Sequence, residues 1–214
     1  MAETEILIVD DDAAVRDSLR ALLESSGLAV REFDYAKALL AFALLGESAC
    51  VLADISMPDM DGLALQEELI KRGIGLPVII VTGHGDVGLA VRAMKAGAVD
   101  FIEKPFDEHS VLDSVGRALL LSKECRSQAS LTQAAESRIP LLTGRERQVL
   151  EHLVAGRANK VIAHELDISP RTVEIHRAHL MKKMQARSLS DLIRLALAGA
   201  VGPAASKMPT RAAL

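Results

Sequence analysis

The chain of 214 residues has no tryptophan, one tyrosine and four phenylalanines. All five aromatics (Phe33, Tyr35, Phe42, Phe101 and Phe106) fall in the first half. The second half therefore lacks the rings on which proteins that read single strands stack unpaired bases. Cysteine is scarce as well. Cys50 and Cys125 stand far apart, with no Cys-x-x-Cys and no histidine pair at metal spacing, which argues against disulfides and structural zinc. Long apolar runs are missing. The longest uncharged stretch, 73–85, is broken by Pro77 and four glycines, and it falls short of the roughly 18 apolar residues that cross a bilayer. Glu3 and Glu5 occupy the place where a secretory signal needs a basic segment. The expectation is a cytoplasmic protein with no membrane span. What the chain does have is 50% hydrophobic and 25% charged residues, enough apolar surface for two modest cores in a chain of this length.

Charge is unevenly spread. Residues 1–123 carry 11 Lys and Arg against 21 Asp and Glu, whereas 138–214 carry 13 against 6. An acidic module followed by a basic one suggests that the second meets a polyanion. Without aromatics in the basic half, double-stranded DNA is the better-matched polyanion.

Periodicity separates the halves in the same way. The apolar run 6–9 ends in Asp10, Asp11 and Asp12 and is followed by Val15, Leu19, Leu22 and Leu23 at helical spacing. The alternation recurs at 29–33 and 36–45, 50–53 and 63–72, 78–81 and 87–96, and 99–102 and 110–121. Five consecutive strand–helix units with strands apolar on both faces predict an α/β fold, a doubly wound parallel sheet of five strands. Ligands of such sheets bind beyond the carboxyl ends of the strands. The stretch 119–139 has neither Pro nor Gly and keeps small or apolar residues at helical intervals, so it reads as a continuation of the fifth helix, or alternatively as a flexible tether. From 142 the pattern is helical throughout. Thr143 to Glu146 forms a capping-box sequence, a first helix ends at Gly156, a second covers 160–166, Ser169-Pro170 opens a third that runs to 184, and a fourth covers 190–198. The resulting division is 1–121, a linker at 122–138, a small all-α domain of four helices at 139–200, and a disordered tail at 201–214.

Asp10, Asp11 and Asp54 follow the first and third apolar runs, which neighbour one another in a doubly wound sheet. Like charges brought together call for a cation, and a few oxygen ligands suit Mg2+ beside a phosphoryl group. The plainer alternative is that the acidic cluster caps the first helix. The fourth and fifth runs favour the first reading, because they end in Thr82 and in Lys104-Pro105. Carboxylate, divalent cation, hydroxyl and ammonium at one sheet edge together stabilise a transferring phosphoryl group.

Those residues carry a resemblance. Ile6-Leu7-Ile8-Val9-Asp10-Asp11, Asp54-Ile55-Ser56-Met57-Pro58-Asp59-Met60-Asp61-Gly62, Val81-Thr82-Gly83-His84-Gly85-Asp86 and the segment from Ala96 to Lys104-Pro105-Phe106 resemble a two-component receiver domain, a flavodoxin-like fold. Leu142-Thr143-Gly144-Arg145-Glu146, Asn159-Lys160-Val161-Ile162-Ala163 and Ile168-Ser169-Pro170-Arg171-Thr172-Val173-Glu174-Ile175-His176 resemble a LuxR-type helix-turn-helix domain. In order, spacing and linker length the chain is most similar to the FixJ group. The resemblance implies that Asp54 accepts a phosphoryl group from a sensor histidine kinase. It further implies that Asp10, Asp11, Asp54 and the backbone carbonyl of Ser56 hold Mg2+, that Thr82 and Lys104 read the phosphoryl oxygens, and that Phe101 changes rotamer as a switch. It also implies a cis Lys104–Pro105 bond. Ser56 stands where many relatives carry a larger basic residue, a change that a backbone ligand tolerates. Taken alone, Phe101 reads as a strand core residue and His84 as an exposed loop residue.

In the basic half, 160–166 and 169–184 form a helix-turn-helix whose second helix is expected in the major groove. Val173, Leu180 and Met184 face the core, which leaves Arg171, Thr172, Glu174, Ile175, Ala178 and Lys182 around the other side. Lys160, Arg171, Arg177, Lys182 and Lys183 are expected on phosphates, and Ile175 and Ala178 on thymine methyls. Glu174 either accepts from a cytosine amine or merely pairs with a neighbouring arginine. His176 matches a backbone-contacting position of the family. One small headpiece buries little area, so operator binding requires two copies. The expectation is a phosphorylation-activated regulator, an activator acting on promoter DNA and RNA polymerase, that forms a homodimer when phosphorylated. An aspartyl phosphotransferase enzyme is disfavoured by Ser56, where an acid–base carboxylate is needed. A constitutive DNA-binding protein whose receiver is only a dimerisation scaffold is the remaining rival.

Overall fold

A computed structural model of the chain describes residues 5–43, 48–83 and 87–201. The chain divides into two compact units, Met1–Cys125 and Arg126–Leu214.

The first unit contains β1 (Glu5–Val9), α1 (Ala13–Ser25), β2 (Ala29–Phe33), α2 (Ala36–Ala43), β3 (Ser48–Asp54), α3 (Gly62–Lys71), β4 (Val78–Thr82), α4 (Val87–Lys95), β5 (Asp100–Glu103) and the start of α5 (Glu108–Arg138). The strands are parallel in the order β2-β1-β3-β4-β5, the predicted α/β doubly wound sheet. Alternating residues of the apolar strands feed two cores. Leu7, Val9, Val51, Ala53 and Ile80 pack with Leu39 and Leu40 of α2, Leu65 and Leu69 of α3 and Ala93 of α4. Ile6, Ile8, Cys50, Leu52, Ile79 and Val81 pack with Leu19 and Leu23 of α1 and Val111, Val115 and Ala118 of α5. Each fully buried aliphatic side chain contributes about 1.5–3 kcal/mol, and residues 6–9 of β1 and all of β4 are buried on both faces. The crossover that sets β1 between β2 and β3 creates the switch point at which such sheets bind ligands.

The second unit has a short 3₁₀ turn (Ile139–Leu141), α6 (Gly144–Val154), α7 (Asn159–Leu166), α8 (Pro170–Lys183) and α9 (Leu189–Ala198). The capping box at Thr143 and Glu146 is formed in both directions, and Ser169 caps α8 by accepting from the Thr172 amide at 3.0 Å. Asp167 makes the α7–α8 turn in the left-handed region (φ 53°), which a short polar side chain tolerates.

Three expectations need adjusting. The stretch 122–138 is helical, as the first of its two readings has it, but the α5 to which it belongs begins at Glu108 rather than 110. The helical domain does not begin at 139, because Ala135 lies in its core beside Ile139. A Cβ on Gly199 would come within 2.2 Å of Ile139 Cδ1 and 2.9 Å of Ala135 Cβ. Small residues at both positions allow that approach. The tail does not begin at 201 either, because Val201 is buried in the same core. Residues 202–214, the predicted helical positions 44–45, and His84 lie outside the described residues.

Candidate functional site

The carboxyl ends of β1, β3, β4 and β5 stand side by side, and each delivers one functional group. Asp10 follows β1, Asp54 ends β3, Thr82 ends β4 and Lys104 follows β5. Asp10, Asp54 and Thr82 are buried, and Asp11 is exposed at the rim. Carboxylate oxygens of Asp10, Asp11 and Asp54 lie within 4.8 Å of one another. The Lys104 ammonium donates to Asp10 Oδ2 at 2.6 Å and to Asp54 Oδ1 at 2.7 Å, although 94 and 50 positions separate the partners in the chain. Asp54 Oδ2 accepts from the Ser56 amide at 2.6 Å, so both oxygens of this carboxylate are held.

Local sequence explains how each arm is aimed. Asp12, not Asp10 or Asp11, is the N-cap of α1, accepting from Ala14 at 2.8 Å. The capping reading of the acidic triplet thus holds for Asp12, which leaves the carboxylates of Asp10 and Asp11 to face Asp54. Asp10 is oriented by the Asp12 amide, which donates to its Oδ1 at 2.9 Å, and Arg16 donates to its backbone carbonyl at 2.6 Å. Sequence reasoning missed Arg16. Its only signal is that it lies one turn into α1, facing the end of β1. Gly62 starts α3 so close to β3 that a Cβ would stand 2.5 Å from the Asp54 carbonyl oxygen. Lys104 is fixed at its own backbone, where its amide donates to the Thr82 carbonyl at 2.7 Å, and the Lys104–Pro105 bond is cis. Phe101 is half-buried against the core on the α2–α4 side of the sheet.

The electrostatics are those of a site short of positive charge. Burial raises the Asp10 carboxyl above its ordinary value, more than the Lys104 ammonium and the Asp12 amide lower it. Burial also works against charge on Lys104, yet its bonds to Asp10 and Asp54 outweigh that and hold it above its ordinary value. The two directions are compatible, because one ammonium serves two carboxylates. With Asp11 added, three carboxylates face one ammonium, an all-oxygen donor set that fits a hard divalent cation.

On the second unit, Val173, Leu180 and Met184 are buried, and Arg171, Glu174, Ile175, Ala178 and Lys182 are exposed on α8, with Lys160 exposed on α7. Thr172, His176 and Arg177 are half-buried. Two predicted phosphate contacts are engaged within the fold. Arg177 donates to Asn159 Oδ1 at 2.6 Å. Lys183 donates to Glu146 Oε2 at 2.7 Å and to the Leu141 carbonyl at 3.2 Å. Glu174 pairs with Arg171 at 3.2 Å on the exposed surface of α8. Among the described residues no helix is long and apolar enough to cross a membrane.

Comparison with known proteins matches both units. Residues 6–116 match the response regulator receiver domain and residues 140–196 match the bacterial regulatory proteins of the luxR family. The chain is 50% identical over 203 residues to the transcriptional regulatory protein FixJ of Azorhizobium caulinodans, covering 95% of this chain and 96% of that one. Among solved structures it resembles full-length FixJ from B. japonicum (47% identity, TM-score 0.55, 94% of this chain and 98% of that chain). It also resembles the response regulator StyR (41% identity, TM-score 0.74, 92% and 99%).

Proposed function

This chain belongs to the FixJ group of two-component response regulators, and on that premise we propose that phosphoryl transfer from a histidine kinase to Asp54 switches a LuxR-type headpiece onto promoter DNA. One observation carries the proposal: Asp54 is buried at a sheet edge where a lysine and two further carboxylates converge on it. A carboxylate oxygen of Asp54 attacks the phosphorus of the kinase's phosphohistidine. An O–P bond forms as the N–P bond breaks, and the imidazole nitrogen keeps the electron pair and takes a proton from solvent. The Ser56 amide holds Asp54 in one orientation, Lys104 neutralises the oxygens of the transferred group, and Thr82 donates to them. Asp10, Asp11, Asp54 and the Ser56 carbonyl would hold Mg2+, which would supply the remaining charge neutralisation.

Engagement of Thr82 draws in Phe101 and biases a two-state surface of the receiver. Two phosphorylated copies then place their headpieces on adjacent half-sites and recruit RNA polymerase as an activator in the cytoplasm. In this reading 1–121 is the receiver, 122–138 the linker and 139–200 the headpiece, extended as described above. Lys160, Arg171 and Lys182 meet phosphates with Arg177 and His176 beside them, while Thr172, Glu174, Ile175 and Ala178 face base edges.

The test is to incubate the full chain and Asp54→Asn with Mg2+ and acetyl phosphate, following intact mass, dimer fraction and affinity for duplex DNA. The wild type alone should gain one phosphoryl group, dimerise and bind more tightly. Equal labelling of both proteins would discard the acceptor. Labelling without dimerisation or tighter binding would favour a receiver that is only a scaffold.

A further inference from the structure

Buried charge is rare in the second unit. Glu146 is 3% exposed and is the one buried acidic residue among its described residues. Its carboxylate does two things at once. Oε2 closes the capping box by accepting from the Thr143 amide at 2.8 Å, and it also accepts from Lys183 Nζ at 2.7 Å. Lys183 reaches on to the Leu141 carbonyl at 3.2 Å, and His179 Nδ1 stands 3.7 Å from Glu146 Oε1. A second anchor lies one residue further along the chain, where Arg138, the last residue of α5, donates to the Met184 carbonyl at 2.8 Å. Burial alone would raise the Glu146 carboxyl, but Lys183 and the Thr143 amide outweigh it and hold it below its ordinary value. The Glu146 carboxylate is thus buried, whereas the Lys183 side chain that reaches it is 34% exposed.

We propose that Glu146 and Lys183 are a positioning pair, an ion-paired junction that fixes the last turn of α8 to the first turn of α6 and so aims the DNA-reading end of α8. Lys183 on this account is not one of the cations that neutralise phosphate. The inference rests on the reading of α8 as the recognition helix. Geometry gives the junction leverage: a helix of 14 residues is about 21 Å long, so a tilt of a few degrees at its fixed C-terminal end moves the N-terminal, base-reading end by an ångström or more. Neighbouring Lys182 is exposed and serves as the contrasting case.

Counterion release separates the two roles. Each lysine that neutralises a phosphate contributes about 0.9 to the slope of log affinity against log salt, whatever the DNA sequence. A positioning residue contributes nothing to that slope but alters the preference for one sequence over another. The experiment uses the full chain treated with Mg2+ and acetyl phosphate. Its probes are a duplex enriched by the wild type from a random library and poly(dI-dC) as non-specific competitor. Lys182→Gln should weaken binding to both probes alike and reduce the slope by about one ion. Lys183→Gln should leave the slope and the poly(dI-dC) affinity unchanged and weaken the enriched duplex by about tenfold. Glu146→Gln, which keeps an acceptor for the capping box, should do the same, and Lys183→Arg should restore the preference. Circular dichroism at the assay temperature confirms that each variant is folded, and loss of sequence preference in a folded protein is not what a merely stabilising contact would produce.

A Lys183→Gln protein that loses one ion from its slope and weakens equally on both probes overturns the proposal, as does one that behaves like the wild type throughout. If the wild type enriches no duplex at all, the reading of α8 as a recognition helix fails first and takes this inference with it.

Discussion

At the scale of single residues, the receiver pocket gathers three carboxylates around one ammonium, a charge imbalance that a bound cation would relieve. Removing one buried carboxylate should therefore stabilise the cation-free protein. Asp10→Asn is expected to unfold at higher temperature than the wild type in EDTA, and to lose the rise in midpoint that Mg2+ gives the wild type by binding only the folded state. A calorimetric titration with and without the ion checks both halves of the statement. The raised Lys104 value has a definite sign. A basic group whose folded value lies above its unfolded value stabilises fully at pH below the unfolded value, here 10.5, and loses that contribution as pH climbs through the folded value. Denaturant unfolding at increasing alkalinity should show the loss above 10.5 in the wild type and a flatter profile in Lys104→Met. Cys50 titrates in the same region, its thiol pushed up to about 12 by burial. Cys50→Ala is accordingly the background on which the comparison is cleanest.

At the scale of elements, the decisive features are the joints between strands and helices. The β3–α3 joint folds back so tightly that only glycine fits at position 62, because any Cβ would stand 2.5 Å from the Asp54 carbonyl oxygen. Gly62→Ala should cost about 1–3 kcal/mol, the range for forced overpacking, measured by chemical denaturation. It should also slow acetyl phosphate labelling, because the loop that bears the Ser56 amide must shift. Elements were readily legible from the sequence where periodicity was strong. The five apolar runs and the capped starts of α6 and α8 carry their own signals in spacing and in Thr143, Ser169 and Pro170. The continuity of α5 was less legible, because its middle is rich in Ser, Gln and Ala and buries little. The boundary at Ala135 was not legible at all, because nothing in an alanine announces that a glycine 64 positions later will press against it.

At the scale of the whole molecule, charge and packing divide the chain in the same way. Each unit has its own core, and the acidic and basic counts fall on opposite sides of the division. Calorimetry of the full chain is expected to show two transitions rather than one two-state event, with Asp10→Asn moving one of them and Thr143→Ala, which removes a cap worth about 1 kcal/mol, moving the other. A single transition displaced by both substitutions would show that the units unfold together.

By itself the sequence determined which segments are strands and which are helices, that a carboxylate, a hydroxyl and an ammonium lie at one edge of a parallel sheet, and that the basic half carries a DNA-binding domain. These follow from near-neighbour patterns: apolar period, caps, and the rule that ligands sit where strands end. Only the tertiary structure decided which charges are committed. It spends Lys104 on Asp10 and Asp54, Asp12 on a helix cap, and Lys183 on Glu146. Pairing depends on distances between residues tens of positions apart, and on a burial that makes an unpaired charge costly. Neither quantity is expressed in the local order of the chain.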